Sequence, residues 1–324
     1  MNSRMNILIT GGAGFIGSNL ARYLVRNGHR VVVLDNCLLG RMENLDGVDC
    51  VKVEGDVLDA DLLKNLVEEN KITGIFHLSG YSSSPMFDEG GESKNASDLR
   101  GFFNTLRLSA DKNIKVVFAS TSSFYARCEK PFLESMRVTA GTHYELSKLL
   151  MEQAATMFSL RYGIDVNGLR FFSVYGPHEK HKGRFANNIS QFYWSIKNDV
   201  RPVIFGDGEQ TRDFTYVGDL VEALLMVMEK GRGSEVYNVG TGEEHSFNEM
   251  IKMLNDGLGK KIEPIYAKNP LKNYVANTLA DISKIKKDIG WQPSTSLAEG
   301  IKKVIDFDEK VTRDEALALY DWIK

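Results

Sequence analysis

Three glycines at a fixed spacing constrain this chain more than any other feature of its sequence. They lie in residues 10–17 (TGGAGFIG), which follow a short apolar run and precede a helical pattern. In that context Gly11 allows a tight turn, Gly14 lets the backbone approach a pyrophosphate, and Gly17 lets the helix lie close to the strand. The start of the helix then offers N–H groups to the phosphates. The motif predicts a βαβ dinucleotide-binding unit.

The first half of the sequence alternates apolar runs with helical patterns. We predict strands at residues 6–10, 30–34, 50–53, 74–78, 115–119 and 165–172, and helices at 17–27, 61–69, 95–110 and 142–162. Strands that are apolar throughout, separated by helices, indicate a parallel sheet covered on both faces. The predicted fold class is therefore α/β, with a Rossmann-type doubly wound parallel sheet.

The alternation of apolar runs and helical patterns becomes less regular after Tyr175, where Gly, Pro, Asn and Asp are frequent. We predict an NAD-binding Rossmann domain over residues 1–172 and a smaller C-terminal substrate-binding α/β region over residues 173–324. The two are expected to be interleaved, because residues 235–240 resemble a strand that returns to the main sheet.

An acidic residue defines the expected cofactor. Asp35 ends the second predicted strand, at the spacing of the acid that binds a ribose 2′-hydroxyl in dinucleotide sites. A carboxylate there repels a 2′-phosphate, so the sequence favours NAD over NADP. Asp56 and Val57 follow the third strand and are candidates for the adenine border, although Asp56 is equally typical of a helix start.

Two side chains one helical turn apart carry the candidate chemistry. Tyr144 and Lys148 have i, i+4 spacing and so share a helix face. A capping box from Thr142 to Glu145 predicts that this helix starts just before the tyrosine. Tyrosine has an ordinary pKa of about 10, and a nearby ammonium together with a positive nicotinamide favours the phenolate. Thr121 follows the strand at 115–119 and supplies a hydroxyl at a strand end.

Composition excludes several classes of protein. The net charge of −3 gives no electrostatic case for nucleic-acid binding. No apolar run approaches the roughly 20 residues of a membrane span, and residues 1–6 show no signal-peptide pattern. Three scattered cysteines (Cys37, Cys50 and Cys128) form neither a disulfide framework nor a zinc site, so no metal is expected. A cytoplasmic enzyme is predicted.

These motifs together resemble the extended short-chain dehydrogenase/reductase superfamily, and within it the NAD-dependent nucleotide-sugar epimerase/dehydratase family, similar to UDP-glucose 4-epimerases. Further matching segments are residues 174–177 (VYGP), 206–214 (GDGEQTRDF), 237–240 (YNVG) and 290–293 (GWQP). The resemblance implies bound NAD, a nucleotide diphosphate sugar as substrate, and a homodimer built on helices near residues 95–110 and 142–162.

The resemblance also implies roles for individual residues. The implied catalytic residues are Thr121, Tyr144 and Lys148. The implied cofactor contacts are Gly11, Gly14, Phe15, Ile16, Gly17, Asp35, Asn36, Asp56, Val57, Leu78, Tyr144 and Lys148. The implied substrate contacts are Ser83, Thr121, Asn187, Phe205, Arg212 and Tyr274, with Arg212 as the clamp of the diphosphate.

The residues after Thr121 separate the candidate reactions. Related 4,6-dehydratases carry acidic residues there, whereas this chain has Ser122 and Ser123, and neither hydroxyl suits the acid–base work of eliminating water. A 4-epimerase acting on a UDP-hexose (UDP-glucose, UDP-galactose or their N-acetyl forms) through a transient 4-keto intermediate is therefore favoured. A nucleotide-sugar dehydratase, a dehydrogenase of a small substrate and an NAD-sensing regulator stay open as alternatives.

Overall fold

A computed structural model describes residues 4–269 and 275–323 of the chain. Its strands are β1 (Asn6–Thr10), β2 (Arg30–Asp35), β3 (Val51–Glu54), β4 (Gly74–His77), β5 (Lys115–Thr121), β6 (Val166–Phe171), β7 (Val203–Phe205), β8 (Thr211–Arg212), β9 (Val236–Val239), β10 (His245–Ser246) and β11 (Ile265–Ala267). Its α-helices are α1 (Phe15–Arg26), α2 (Ala60–Asn70), α3 (Gly91–Lys112), α4 (His143–Tyr162), α5 (Asn188–Lys197), α6 (Val217–Lys230), α7 (Phe247–Leu258), α8 (Ser283–Ile289), α9 (Leu297–Phe307) and α10 (Arg313–Ala318).

Seven strands form one parallel sheet in the order β3-β2-β1-β4-β5-β6-β9. The strand order reverses direction between β1 and β4, where Thr10 lies opposite His77. In doubly wound sheets the ligand crevice opens at this switch point, beyond the carboxyl ends of the strands. The predicted fold class is confirmed.

The sheet is buried on both faces, which explains its continuous apolar strands. One face packs against α1, α6 and α8, and the other against α2, α3 and α4. Val32 and Val33, neighbours on β2, accordingly contribute to opposite cores, and both are fully buried.

A third core joins α5, α7 and α9 beyond the sheet, around Trp194, Phe247 and Ile301. Two small sheets, β8 with β10 and β7 with β11, border this region. The chain then returns, because β9 pairs in parallel with β6, with Leu169 opposite Tyr237. A division of the chain at residue 172 stays a prediction.

Candidate active site

A cavity of about 720 Å³ lies at the carboxyl edge of the sheet, beside the switch point. The glycine turn, the ends of β2 and β5, the start of α4 and the loop before α5 all contribute to its wall. Cavities of this size are typical of small-molecule sites.

The glycine turn leaves no room for side chains on the wall of the cavity. A Cβ atom on Gly17 would lie 2.3 Å from the Gly11 carbonyl oxygen, and one on Gly11 would lie 2.6 Å from Ser79 N. Gly11 also has a φ of +73°, which favours glycine. Gly14 precedes α1 without a side-chain cap, so the first N–H groups of this helix face the position of an anion.

Asp35 ends β2 against this turn. Its Oδ2 atom accepts a hydrogen bond from Ala13 N at 3.0 Å, and its Oδ1 atom accepts one from Cys37 N at 2.9 Å. Burial raises the pKa of the carboxyl, and these N–H groups oppose that shift. Nearby, Asn36 donates to Asp56 Oδ2 at 2.9 Å.

These residues fit an NAD molecule. The side-chain-free turn matches the approach of a pyrophosphate, and Asp35 offers the acceptor that a ribose hydroxyl requires. The other implied cofactor residues that line the same cavity are Phe15, Ile16, Asn36, Asp56, Val57, Leu78, Tyr144 and Lys148.

Thr121 and Tyr144 both line the cavity. Thr121 is the last residue of β5, and its hydroxyl, which donates to Ser123 Oγ at 3.1 Å, also lowers the pKa of the nearby Tyr144 phenol. Both residues are buried. Burial raises the pKa of Tyr144 to about 12, against the lowering influence of Thr121. In the protein without cofactor, the Tyr144 phenol therefore keeps its proton at neutral pH. The phenolate predicted from the sequence also depends on the positive charge of a bound nicotinamide.

Lys148 lies one turn along α4 from Tyr144 and is 4% exposed. Burial lowers the pKa of its ammonium, and the carboxylate of Asp98 raises it. Helix α4 begins as predicted, with Thr142 Oγ1 accepting from Glu145 N at 3.2 Å. In a complete capping box the Glu145 carboxylate would accept a hydrogen bond from Thr142 N. Here its Oε2 atom accepts from Gly141 N at 2.6 Å instead.

Four of the implied substrate residues line the same cavity: Ser83, Thr121, Asn187 and Arg212. Arg212 donates to the carbonyl oxygens of Thr211 and Ala276 at 2.8 and 2.7 Å, and its guanidinium lies over the Phe247 ring. Asn187 caps α5 by accepting from Ile189 N at 3.0 Å. The buried Ser83 hydroxyl has no hydrogen-bond partner among the described residues.

Two implied substrate residues are not placed on this cavity. Phe205 is not among the described residues that line it, and its ring contacts Trp322 with the centroids 5.6 Å apart. Tyr274 lies outside the described residues. The roles of all the implied residues stay predictions.

Sequence reasoning did not assign several residues that line the cavity. Met86 and Phe185 come from two separate loops and contribute to an apolar cluster around Tyr144, and Thr278 lies on the wall near Arg212. The sequence spacing of these loops carries no signal for this contact. Among the described residues no group of three or more His, Cys, Asp or Glu side chains forms a metal site. No helix among them is long and apolar enough to span a membrane.

Comparison with known proteins agrees with this geometry. Residues 7–240 match the model of the NAD-dependent epimerase/dehydratase family. A UDP-glucuronate 4-epimerase of Thermodesulfobacterium geofontis is 33% identical over 315 residues, covering 94% of this chain and 96% of that protein.

Solved structures give the same result. The UDP-glucose 4-epimerase of Thermotoga maritima, determined with UDP-glucose, superimposes with a TM-score of 0.88 at 33% identity, covering 94% of this chain and 98% of that one. The UDP-N-acetylglucosamine 4-epimerase of Methanobrevibacter ruminantium, in complex with UDP-N-acetylmuramic acid, also has a TM-score of 0.88, at 29% identity and with the same coverage.

The fold and site define a Rossmann-type enzyme that uses a dinucleotide cofactor. More narrowly, the chain belongs to the NAD-dependent epimerase/dehydratase family, and NAD is its cofactor.

Proposed function

We propose that this enzyme is a 4-epimerase of a UDP-hexose, with UDP-glucose and UDP-galactose or their N-acetyl forms as substrates. One observation carries the proposal: Thr121, Tyr144, Lys148 and Arg212 line a single cavity that starts at the glycine turn. That arrangement supports a site in which an acid–base pair and a phosphate-binding cation act on the same small molecule. The names of the relatives support the substrate class.

The residues around the sugar C4 position each have a defined task. Tyr144 takes the proton of the C4 hydroxyl and later returns it, as a general base and then a general acid. The Thr121 hydroxyl hydrogen-bonds the same oxygen and keeps it near the phenol. Lys148 places a positive charge one helical turn away, which favours the phenolate. NAD⁺, when bound against the glycine turn, would supply the reversible hydride acceptor for C4 and a positive charge beside the phenol.

Epimerisation also requires that the 4-keto sugar turn over between the two hydride transfers. Arg212 holds the diphosphate, since its planar guanidinium suits bidentate bonds to phosphate oxygens. The loop around Ser83 presents small hydroxyl groups that do not fix one orientation of the sugar. Strong binding at the diphosphate and weak binding at the ring meet this requirement.

The absence of an acid at two positions favours epimerisation over dehydration. Ser122 and Ser123 line the cavity directly after Thr121, and neither carries a carboxylate. Loss of water from the 4-keto sugar requires proton transfer at a second position of the ring, for which these hydroxyls are poor acids and bases.

Incubation of the purified holoenzyme with UDP-glucose, UDP-galactose and both N-acetyl forms tests this proposal. We expect C4 epimers of unchanged mass, identified by NMR and mass spectrometry. A product lighter by one water identifies a dehydratase. Stoichiometric release of NADH identifies a dehydrogenase instead.

A homodimer in the cytoplasm is part of the same proposal. Helix α4 exposes an apolar stripe formed by Leu146, Leu150, Met157 and Leu160, of which Leu160 is 84% exposed. Their spacing of three, four and seven residues places them on one helix face. An exposed apolar face of this kind is typical of a protein–protein contact. The three thiols are free, as expected in a reducing compartment.

A further inference from the structure

A buried carboxylate outside the proposed catalytic set lies beside the catalytic lysine. Asp98, on α3, is 9% exposed and lines the cavity. Its Oδ2 atom accepts a hydrogen bond from the Ser147 hydroxyl at 3.1 Å, and Ser147 directly precedes Lys148 on α4. Acidic side chains are almost never this buried unless they are paired. The surroundings of Asp98 therefore need an explanation.

The same carboxylate contacts the loop after β4. The Tyr81 N–H group lies near Asp98 and lowers the pKa of its carboxyl. A Cβ atom on Gly80 would lie 3.0 Å from Asp98 Oδ1, so the loop backbone is in direct contact with the acid. This loop continues into the hydroxyl-rich segment around Ser83, which lines the same cavity. One side chain thus joins α3, α4 and a loop of the cavity wall.

The charge of Asp98 also acts on Lys148, a buried lysine. The Lys148 ammonium has the thioether of Met151 as its hydrogen-bond partner, at 3.9 Å. Burial lowers the pKa of Lys148, and the charge of Asp98 raises it. In return, Lys148 and the Ser147 hydroxyl lower the pKa of the Asp98 carboxyl, which burial raises.

The charges of Asp98 and Lys148 also shift the pKa values of the titratable groups around them. Tyr144, whose pKa burial raises to about 12, is pushed in the same direction by Asp98 and Glu145. His77 on β4 has a pKa lowered to about 3 by burial and by Lys148. Burial raises the pKa of Tyr81, and Asp98 and Asp56 add to that increase.

We propose that Asp98 is a positioning residue, which fixes Ser147 and the loop at Gly80 in one arrangement and supplies a negative charge that acts on the neighbouring Lys148. This inference rests on the proposed function, because it assigns Asp98 to the Tyr144–Lys148 pair. Asp98 does not exchange a proton with the substrate. It controls the electrostatic environment in which Tyr144 exchanges that proton and Lys148 keeps its positive charge.

The variant Asp98→Asn removes the charge and keeps the size of the side chain. Without the negative charge both Tyr144 and Lys148 lose their protons more readily. Both limbs of the kcat/KM profile against pH therefore move to lower pH, by an amount on the order of one pH unit. Ser147→Ala removes the hydrogen bond to Asp98 but keeps the charge of the Asp98 carboxylate. Both limbs of its kcat/KM profile are therefore expected at the same pH as in the wild type. Asp111→Asn, at a side chain on the same helix that is 67% exposed, is the matched control and leaves the profile unchanged.

A second readout does not depend on turnover. The ultraviolet difference absorbance of tyrosinate is followed during a pH titration of the NAD-bound protein, and the signal of a Tyr144→Phe background is subtracted. The midpoint of Tyr144 is expected to fall in Asp98→Asn by the same amount as the acidic limb of the rate profile. Asp98→Ser, a smaller neutral side chain, is measured in parallel and is expected to shift in the same direction, so the test does not depend on the folding of one variant.

Two results would overturn the inference. If Asp98→Asn and Asp98→Ser lose activity while the titration midpoint of Tyr144 stays at its wild-type pH, Asp98 has only a structural role. If the midpoints rise, the assigned charge interaction is wrong. The proposed function fails separately, since it fails when Tyr144→Phe remains active, whatever Asp98→Asn does.

Discussion

The carboxylate of Asp35 accepts a hydrogen bond from Ala13 N at 3.0 Å, so the acid at the end of β2 and the glycine turn are joined directly. This contact holds the position expected for the ribose next to that expected for the pyrophosphate. We therefore expect cofactor affinity and cofactor choice to depend on the same side chain.

Replacement Asp35→Asn is expected to weaken NAD binding by about tenfold to a hundredfold, because a hydrogen bond to a charged group contributes about 1.5–3 kcal/mol. It also removes the charge that repels a 2′-phosphate, so the preference for NAD over NADP decreases. Calorimetric titration of both dinucleotides measures this. Asp46→Asn, at a side chain that is 79% exposed, is the control. An unchanged preference would place cofactor discrimination elsewhere.

The proposed role of Arg212 as a diphosphate clamp predicts a defect in substrate binding. In Arg212→Ala the KM for the UDP-sugar rises by about tenfold to a hundredfold, since bonds to a charged phosphate are lost. Arg212→Lys recovers only part of this, because lysine lacks the bidentate geometry. Arg232→Ala changes nothing, since that side chain is 71% exposed and is not among the residues that line the cavity. Steady-state kinetics with UDP-galactose decide the point, and a wild-type KM in Arg212→Ala would place the clamp on another residue.

Buried His77 predicts acid sensitivity of the fold. Its ring bonds the hydroxyls of Thr10 and Thr105 at 3.2 and 3.1 Å, and burial lowers its pKa to about 3. The folded protein keeps the ring neutral, whereas the unfolded chain binds a proton below about pH 6.5. The contribution of this histidine to the free energy of unfolding is therefore fully present above pH 6.5. It decreases by up to about 1.4 kcal/mol per pH unit as the pH falls towards 3.

Urea unfolding of the wild type and His77→Gln between pH 7 and 4 measures this effect, since the difference isolates His77 from the other titrating groups. The difference in the free energy of unfolding narrows as the pH falls. A constant difference would show that the folded and unfolded states protonate this ring equally.

The proposed dimer makes a prediction about assembly. Leu150→Glu places a charge in the apolar stripe of α4, where Leu150 is 39% exposed, and is expected to produce a monomer. Leu317→Glu, at a similarly exposed residue of α10, leaves the dimer intact. Light scattering after size-exclusion chromatography distinguishes the two states. A monomeric wild type would contradict the proposal.

The sequence predicts most of the sheet because buried parallel strands are apolar on both sides. β1 matches its predicted limits, and β2 exceeds them by one residue. The start of α3 differs: the helix begins at Gly91, four residues before the prediction, because its first turn is polar and lacks an apolar periodic signal.

The candidate site is only partly predictable for a similar reason. Local motifs predict the glycine turn and Tyr144, because a tight turn and a helical i, i+4 pair each depend on residues that are close together in the sequence. The apolar cover from Met86 and Phe185 depends on two loops that meet only in the folded protein. The partnership of Asp98 with Ser147 likewise joins residues 49 positions apart on two helices.

The kcat of Tyr144→Phe in the interconversion of UDP-glucose and UDP-galactose tests the central claim most directly. Tyr162→Phe, on the same helix and 50% exposed, is the matched control and retains wild-type activity. The account predicts that Tyr144→Phe still binds NAD and loses at least about a hundredfold in kcat, the typical contribution of a general acid–base residue. A kcat within about threefold of the wild type would contradict it.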